Sequence, residues 1–364
     1  MQNNQLRLIP LLIKTAILLV VFNFGFILFK DVPLGKLSLY NRVFTGRERF
    51  PFGETHEAYN LSLFDLDAMF ASHVLAGTPK AADEYRVLVV GDSSVWGTLL
   101  KPEETLAGQL NAAGLSACSK TIRAYNLGYP TISLTKDLLI IDQALAYEPD
   151  FIVWLTTLEA FPRTRQLESP IVANNAERYR ELSFKYELNA SAKDPALNPL
   201  GGQEQTFVSQ RRALADLIRL QLYGALWSST GIDQVYPSDY ERAAIDLEAS
   251  DDFHGLTSLE GALAIDVLDA GLTTGIPTLL VNEPMLISNG ANSDIRYNFY
   301  YPRWAYDAYR QQVADYIQRT GHPYLDLWNL VPMNEFTNSA IHLTPAGEKM
   351  LADTIGAALP ALCK

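Results

Sequence analysis

Ser93 stands where a nucleophile would. In RVLVVGDSSVWG, four apolar β-formers, Val87 to Val90, run straight into Gly91-Asp92-Ser93, and a second glycine, Gly97, follows four residues later. A short buried strand that breaks at Gly91 sets the next side chains at the carboxyl edge of a parallel sheet, where α/β folds bind ligands. A helix beginning after Ser93 would aim free backbone N–H groups and its positive dipole end at whatever lies beside the hydroxyl. That suits a nucleophile that must stabilise a developing oxyanion. The same residues also read as an ordinary strand-to-helix turn with a Ser cap.

Gly91-Asp92-Ser93 after a first strand resembles the nucleophile block of the GDSL, or SGNH, hydrolases. The resemblance implies a flavodoxin-like three-layer α/β/α enzyme that cleaves or transfers acyl groups on lipids, esters and glycans. In that family the Ser is served by a His near the C-terminus, inside an Asp-x-x-His block. One of the five His of this chain, His342, lies in NSAIHLTPAGEKMLA, followed by Leu343 and then Pro345-Ala-Gly347. This is similar to the family's His-Leu-x-x-x-Gly segment leading into the last helix. The resemblance thus makes Ser93 and His342 the expected catalytic pair.

The departures are informative. Where the family's orienting Asp belongs, three residues before His342, the chain has Ser339, and the neighbouring Asn338 is also uncharged. The family's second block supplies an oxyanion N–H from a glycine five residues after an Asn; counting from Asn126 in YNLGYPT, past Gly128, that place falls on Thr131. A backbone N–H survives the change, so Ser93 and Thr131 are the expected oxyanion donors, with Asp92, Asn126, Gly128 and Ser339 around them. In the third block, counting from Pro149 puts Glu159 where the family has an oxyanion Asn. A carboxylate cannot donate a hydrogen bond unless protonated. Glu159 is therefore expected to turn towards His342 and supply the carboxylate that Ser339 cannot; the competing expectation pairs it with Arg163 or Arg165, or with solvent.

Length and composition allow one large domain plus a membrane segment: 364 residues, 48% of them apolar. A formal charge of −12 and the lack of a Lys/Arg-rich run argue against nucleic acid and against an electrostatic grip on anionic lipid. No cofactor or metal is expected, since neither Cys pairs locally and the His are scattered. From Leu8 to Phe29 the chain is apolar except for Lys14, Thr15 and Asn23. This is long enough to span a bilayer if Lys14 snorkels. A cleavable signal peptide is the other reading, but Phe24 to Leu34 offers no small-x-small site, so an uncleaved anchor is expected. Arg7 and Lys14 precede the core, which places the large domain on the extracytoplasmic side. In a flavodoxin-like order Cys118 and Cys363 could bridge; two free thiols are the alternative.

Residues 31–80 should form a connection docked on the domain through residues such as Tyr59, Leu63, Phe64, Met69 and Phe70, being too apolar for a free linker. The domain proper, 81–364, reads as a parallel five-stranded sheet: Arg86 to Val90, Ile122 to Asn126, Phe151 to Leu155, Thr278 to Asn282 and Tyr324 to Leu327. Leu106 to Ala113 and Leu134 to Ala146 are the first crossover helices. An insertion at about 160–272 holds a loop, Asn189 to Gln205, and a helix, Gln210 to Trp227; it could wall the site or merely add a packing layer. Tyr297, Phe299, Tyr300, Tyr301 and Trp304, interleaved with Arg296 and Arg303, could stack on sugar rings or pack on their own domain. Asp326 is expected to tighten the turn after the last strand. The expected protein is a membrane-anchored serine esterase or acyltransferase acting on acyl esters, possible substrates being cell-envelope glycans or lipids. The alternative is a degenerate domain that binds a glycan or a partner.

Overall fold

The computed structural model describes residues 8–29, 41, 43, 46–53, 62–189, 201–230, 236, 239–240, 242–243 and 248–362. Tyr59, Cys363 and most of the expected loop at 189–205 lie outside them. Six strands form one sheet: β1 (Glu84–Val90), β2 (Ser116–Ala117), β3 (Lys120–Asn126), β4 (Phe151–Thr156), β5 (Thr278–Asn282) and β6 (Tyr324–Asp326), in the order β2-β3-β1-β4-β5-β6. The expected five-stranded parallel sheet is thus corrected to a mixed, six-stranded one. β3, β1, β4, β5 and β6 run parallel, and β2 pairs antiparallel with β3 across the two-residue turn Cys118-Ser119. Both turn residues have positive φ, 51° and 62°, as the tightest hairpin turns require. Cys118 is disulfide-bonded; Cys363 is the only other cysteine in the chain.

Strand alternation divides the core into two layers. Leu88, Val90, Ile152, Trp154 and Leu280 pack in one cluster with residues of the helices Leu134–Ala144, Ile265–Leu272 and Arg303–Thr320. Val87, Val89, Val153, Leu155, Leu279 and Val281 pack in the other with the helices Leu106–Ala112 and Pro345–Ala358. β1 is central, with β3 on one side and β4 on the other, so the chain order reverses at its carboxyl end. That is the crevice where open parallel sheets place their sites.

The N-terminal helix Leu8–Gly25 continues as a short 3-10 turn, Phe26–Phe29. Leu8–Leu28 has a mean hydropathy of 2.4 and none of it is buried against the protein. By length and composition it can cross a membrane. Among the described residues of the connection, Leu63, Leu66, Met69 and Phe70 are buried in the first core layer. In the insertion, Pro170–Asn174 and Ala176–Lys185 pack on Leu134–Ala144, and a longer helix, Phe207–Thr230, follows.

Candidate active site

The turn that carries Ser93 is held by close backbone approaches. A Cβ on Gly91 would stand 2.6 Å from Val95 Cγ2, and one on Gly128 would stand 2.3 Å from the Trp96 backbone nitrogen. Only glycine lets the β3 exit loop cross the short helix Ser93–Trp96 this closely. Asp92 caps that helix by accepting the Ser94 N–H at 2.8 Å. Asn126, buried at the end of β3, donates to Val95 O at 2.7 Å and accepts the Gly128 N–H at 3.0 Å. Asn126 and Gly128 therefore fasten the turn rather than face a substrate, contrary to the binding role expected of them.

After β6 the chain returns over the sheet edge as a tight loop. The Thr337 N–H donates to His342 O at 2.8 Å, and the Leu286 N–H donates to Ala340 O at 2.7 Å. This closure sets Asn338 and His342 face to face. His342 Nε2 lies 2.8 Å from Ser93 Oγ, and His342 Nδ1 lies 2.8 Å from Asn338 Oδ1. With Nδ1–H donating to the amide oxygen, Nε2 is left as the acceptor for the Ser93 hydroxyl proton. Burial lowers the His342 pKa from 6.5 to about 4. The imidazole is thus neutral at pH 7 and ready to take a proton.

The structure brings Ser93, Thr131, Glu159, Ser339 and His342 to one cavity of about 420 Å³, also lined by Ile132, Arg165, Glu168, Ser169 and Tyr300. Two expected roles are corrected within it. Glu159 is not the partner of His342: it pairs with the Arg165 guanidinium, and His254 Nε2 lies 2.9 Å from its Oε2. A carboxylate beside a guanidinium is satisfied there and has no reason to cross the cavity. The Thr131 N–H is not free for an oxyanion, because it donates to Tyr129 O at 2.7 Å in a three-residue turn. Its side chain is what reaches the site, with Oγ1 2.9 Å from Ser169 Oγ. Ser339 lines the cavity without bonding His342. Asn338, passed over because it carries no charge, fills the place instead; its amide oxygen was the one signal available.

Ser94 points away from the cavity and bonds Glu283. Beneath the turn lie Asp92, Asp137, Glu283 and Glu348, all buried, with one buried lysine. Lys136 Nζ donates to Gly91 O at 2.7 Å and pairs with Asp137 Oδ1 at 2.6 Å. Burial raises the pKa of each of these carboxyls, to about 8 for Glu348.

A further support was missed in the sequence. Arg49, from the connection, donates to Trp96 O at 3.1 Å and Gly97 O at 2.8 Å, and its guanidinium lies 4.4 Å from the centre of the Trp96 ring. Trp96 Nε1 donates to Phe50 O at 2.9 Å.

Most of the aromatic cluster at 297–304 is domain packing. Arg296 is buried and donates to the carbonyls of Ser250, Asp252, Asn298 and Phe299; Tyr301 is buried and accepts from Thr157 Oγ1. Tyr300, 46% exposed, is the ring of the cluster that both lines the cavity and meets solvent. Asp326 pairs with Arg310 and accepts from Asn282 Nδ2. No group of three or more metal-ligating side chains occurs among the described residues.

No family model matches the chain, and no curated protein matches it. Solved structures similar to it include a protein assigned to the G-D-S-L lipolytic family from Desulfitobacterium hafniense DCB-2, at 12% identity and a TM-score of 0.33 over 76% of this chain and 99% of that one. A carbohydrate acetylesterase family member from Sinorhizobium meliloti is similar at 13% identity and a TM-score of 0.35, over 76% and 98%. The aryl esterase of M. smegmatis is similar at 13% identity and a TM-score of 0.34, over 76% and 99%. At these values the likeness carries no argument about the reaction, which rests on the side chains.

Proposed function

We propose that the chain is an SGNH-type serine ester hydrolase or acyltransferase that works through Ser93, His342 and Asn338. The observation that carries this reading is the pair of 2.8 Å contacts running from Ser93 Oγ through the imidazole to Asn338 Oδ1. Ser93 Oγ attacks the acyl carbonyl while Nε2 takes its proton, and the Nδ1–H bond to Asn338 fixes the tautomer throughout. The tetrahedral oxyanion faces the Ser93 N–H, which begins its helix and has no intrahelical acceptor, and the Thr131 and Ser169 hydroxyls. Collapse expels the alcohol, which recovers the proton from His342. The acyl group then passes from Ser93 to water or to an acceptor hydroxyl. A rim of carboxylates, hydroxyls and one open tyrosine suits a hydroxyl-rich substrate such as a glycan or a lipid headgroup. The helix at 8–29 holds this domain at the membrane, on the extracytoplasmic side, and the single disulfide-bonded Cys118 fits that side.

A second reading has its own observation. Two donor positions of the family are altered here, with the Thr131 N–H engaged and Glu159 in place of an amide, as they would be in a domain that binds an ester or glycan without turnover. Labelling by a fluorophosphonate separates the two. Wild type should label and Ser93→Ala should not, both remaining folded by circular dichroism. Folded wild-type protein that stays unlabelled would leave the binding reading standing.

A further inference from the structure

The helix Phe207–Thr230 buries one side and leaves another bare. Leu220 and Gly224 face inwards, and Leu220 joins the core. On the outer side Val208, Ile218, Leu222 and Leu226 are 46%, 61%, 69% and 46% exposed, and Ala215 is exposed between them. At about 100° per residue these five positions fall within an arc of about 80°. At 1.5 Å per residue they make a stripe about 27 Å long. Exposed Arg212 and Arg219 border it, and exposed Arg211 falls within the arc between Val208 and Ala215. From Ala215 to Leu226, over about 17 Å, the stripe is unbroken, and an apolar surface of this kind on an exposed helix marks a docking face.

Its place in the fold says what covers it. The first turn of this helix meets the last turn of the N-terminal span: Phe207 stacks edge-on against Phe22 and Phe26, with ring centres 4.9 and 5.7 Å apart, and the Val208 N–H donates to Asn23 Oδ1 at 2.8 Å. The stripe therefore begins where the span leaves the bilayer. The helix sequence holds three arginines and one aspartate, in a chain of net charge −12. Arginines bordering an apolar stripe can carry their guanidinium groups to headgroup level while their stems stay in the apolar zone.

We infer that the helix Phe207–Thr230 lies in the membrane interface, with Val208, Ala215, Ile218, Leu222 and Leu226 sunk towards the acyl chains. This rests on the reading of residues 8–29 as a bilayer anchor. The binding is apolar in origin, so it needs no anionic lipid.

The test uses the full chain in phosphatidylcholine vesicles, with a nitroxide attached, without reductant, to Leu222→Cys or to Lys349→Cys, a position exposed on the last helix. Unchanged fluorophosphonate labelling of Ser93 shows that each variant is folded. At residue 222 the ratio of oxygen to nickel-complex accessibility should be severalfold higher than at 349. Equal ratios at the two sites would overturn the proposal. So would spin–spin broadening at 222 that grows with protein density, which would show a second copy on the stripe. Alkaline carbonate reads the anchor separately. A chain that resists extraction with residue 222 in water keeps the anchor and loses the interfacial helix. A chain that is stripped, yet has residue 222 sunk at neutral pH, does the reverse.

Discussion

Asn338 gives the His342 ring its direction but no charge. An amide oxygen can hold Nδ1–H as well as a carboxylate does, yet it does little to stabilise the imidazolium formed when Ser93 is deprotonated. With burial setting the His342 pKa at about 4, the acid limb of kcat/KM should fall near pH 4 rather than near the ordinary 6.5. Asn338→Asp places an anion beside the ring, favours the charged form and raises that pKa. The limb should move up by about one to three units, and turnover at neutral pH should rise by about tenfold or more. A limb that stays near pH 4 in Asn338→Asp would mean that Asn338 does not contact the working imidazole. That Ser93 and His342 meet was legible because each sits in a motif with its own backbone geometry. The Asn338 contact was not, because counting three residues back from the histidine lands on Ser339, and only the loop closed by Thr337 and His342 shows that the fourth residue reaches the imidazole. For Glu159 the competing expectation, a pair with Arg165, is the one the structure shows; only His254 escaped, because no local spacing reports a contact 95 residues away.

At the scale of elements, the parallel strands could be read because each is an apolar run that ends at a turn residue, and the helices Leu106–Ala112 and Leu134–Ala144 began where expected. The antiparallel edge strand escaped. Two residues, Ser116 and Ala117, carry no periodicity, and the Cys118-Ser119 turn lacks the Asn-Gly signature that usually announces a tight hairpin. The crossing of the β3 exit loop over Ser93–Trp96 was equally hidden, although Gly128 marks it. Gly128→Ala would drive a methyl into the backbone at Trp96, a neighbour that cannot swing aside as a side chain could. About 1–3 kcal/mol of stability should be lost, read by denaturant midpoint, and fluorophosphonate labelling should fall because the nucleophile turn itself moves. A variant with lowered stability but full labelling would place the strain elsewhere.

For the molecule as a whole, the carboxyls beneath the nucleophile turn set a pH dependence of stability opposite to that of its buried histidines. Glu348 titrates at about 8 when folded and near 4.5 when unfolded. The folded state therefore holds a proton that the unfolded chain releases between those values, and stability declines as pH rises through that window. His73, buried, and His342 both titrate at about 4 when folded. Their contribution is present above pH 6.5 and is lost as pH falls towards 4. Glu348→Gln removes the Glu348 share of the first dependence and leaves the histidine dependence in place. Relative to wild type it should be unchanged below about pH 4.5 and gain stability as pH rises, to at most about 5 kcal/mol above pH 8. Urea midpoints at pH 4.5, 6.5 and 8.5 would show the gain; a constant difference across them would mean that Glu348 is ionised in the folded protein.

Arg49 and Phe50 decide where a soluble version of this protein can be cut. The α/β unit looks complete from residue 81, and a shortened chain would naturally be started there. Such a chain would lose the guanidinium that closes the carbonyls of Trp96 and Gly97, the acceptor of the Trp96 indole N–H, and the rings packed beside it. Buried polar groups left in that state cost about 1–3 kcal/mol each, at the helix that carries Ser93. A chain begun just before Gly46 keeps all of these contacts; besides the helix at 8–29 it omits residues 30–45, among them Asn41, which donates to His73 O at 3.2 Å. The longer version should label with a fluorophosphonate as the full protein does, and the shorter one should not. The stretch that follows the apolar helix at 8–29 is thus part of the fold, and removing it with that helix would remove the footing of the turn that carries Ser93.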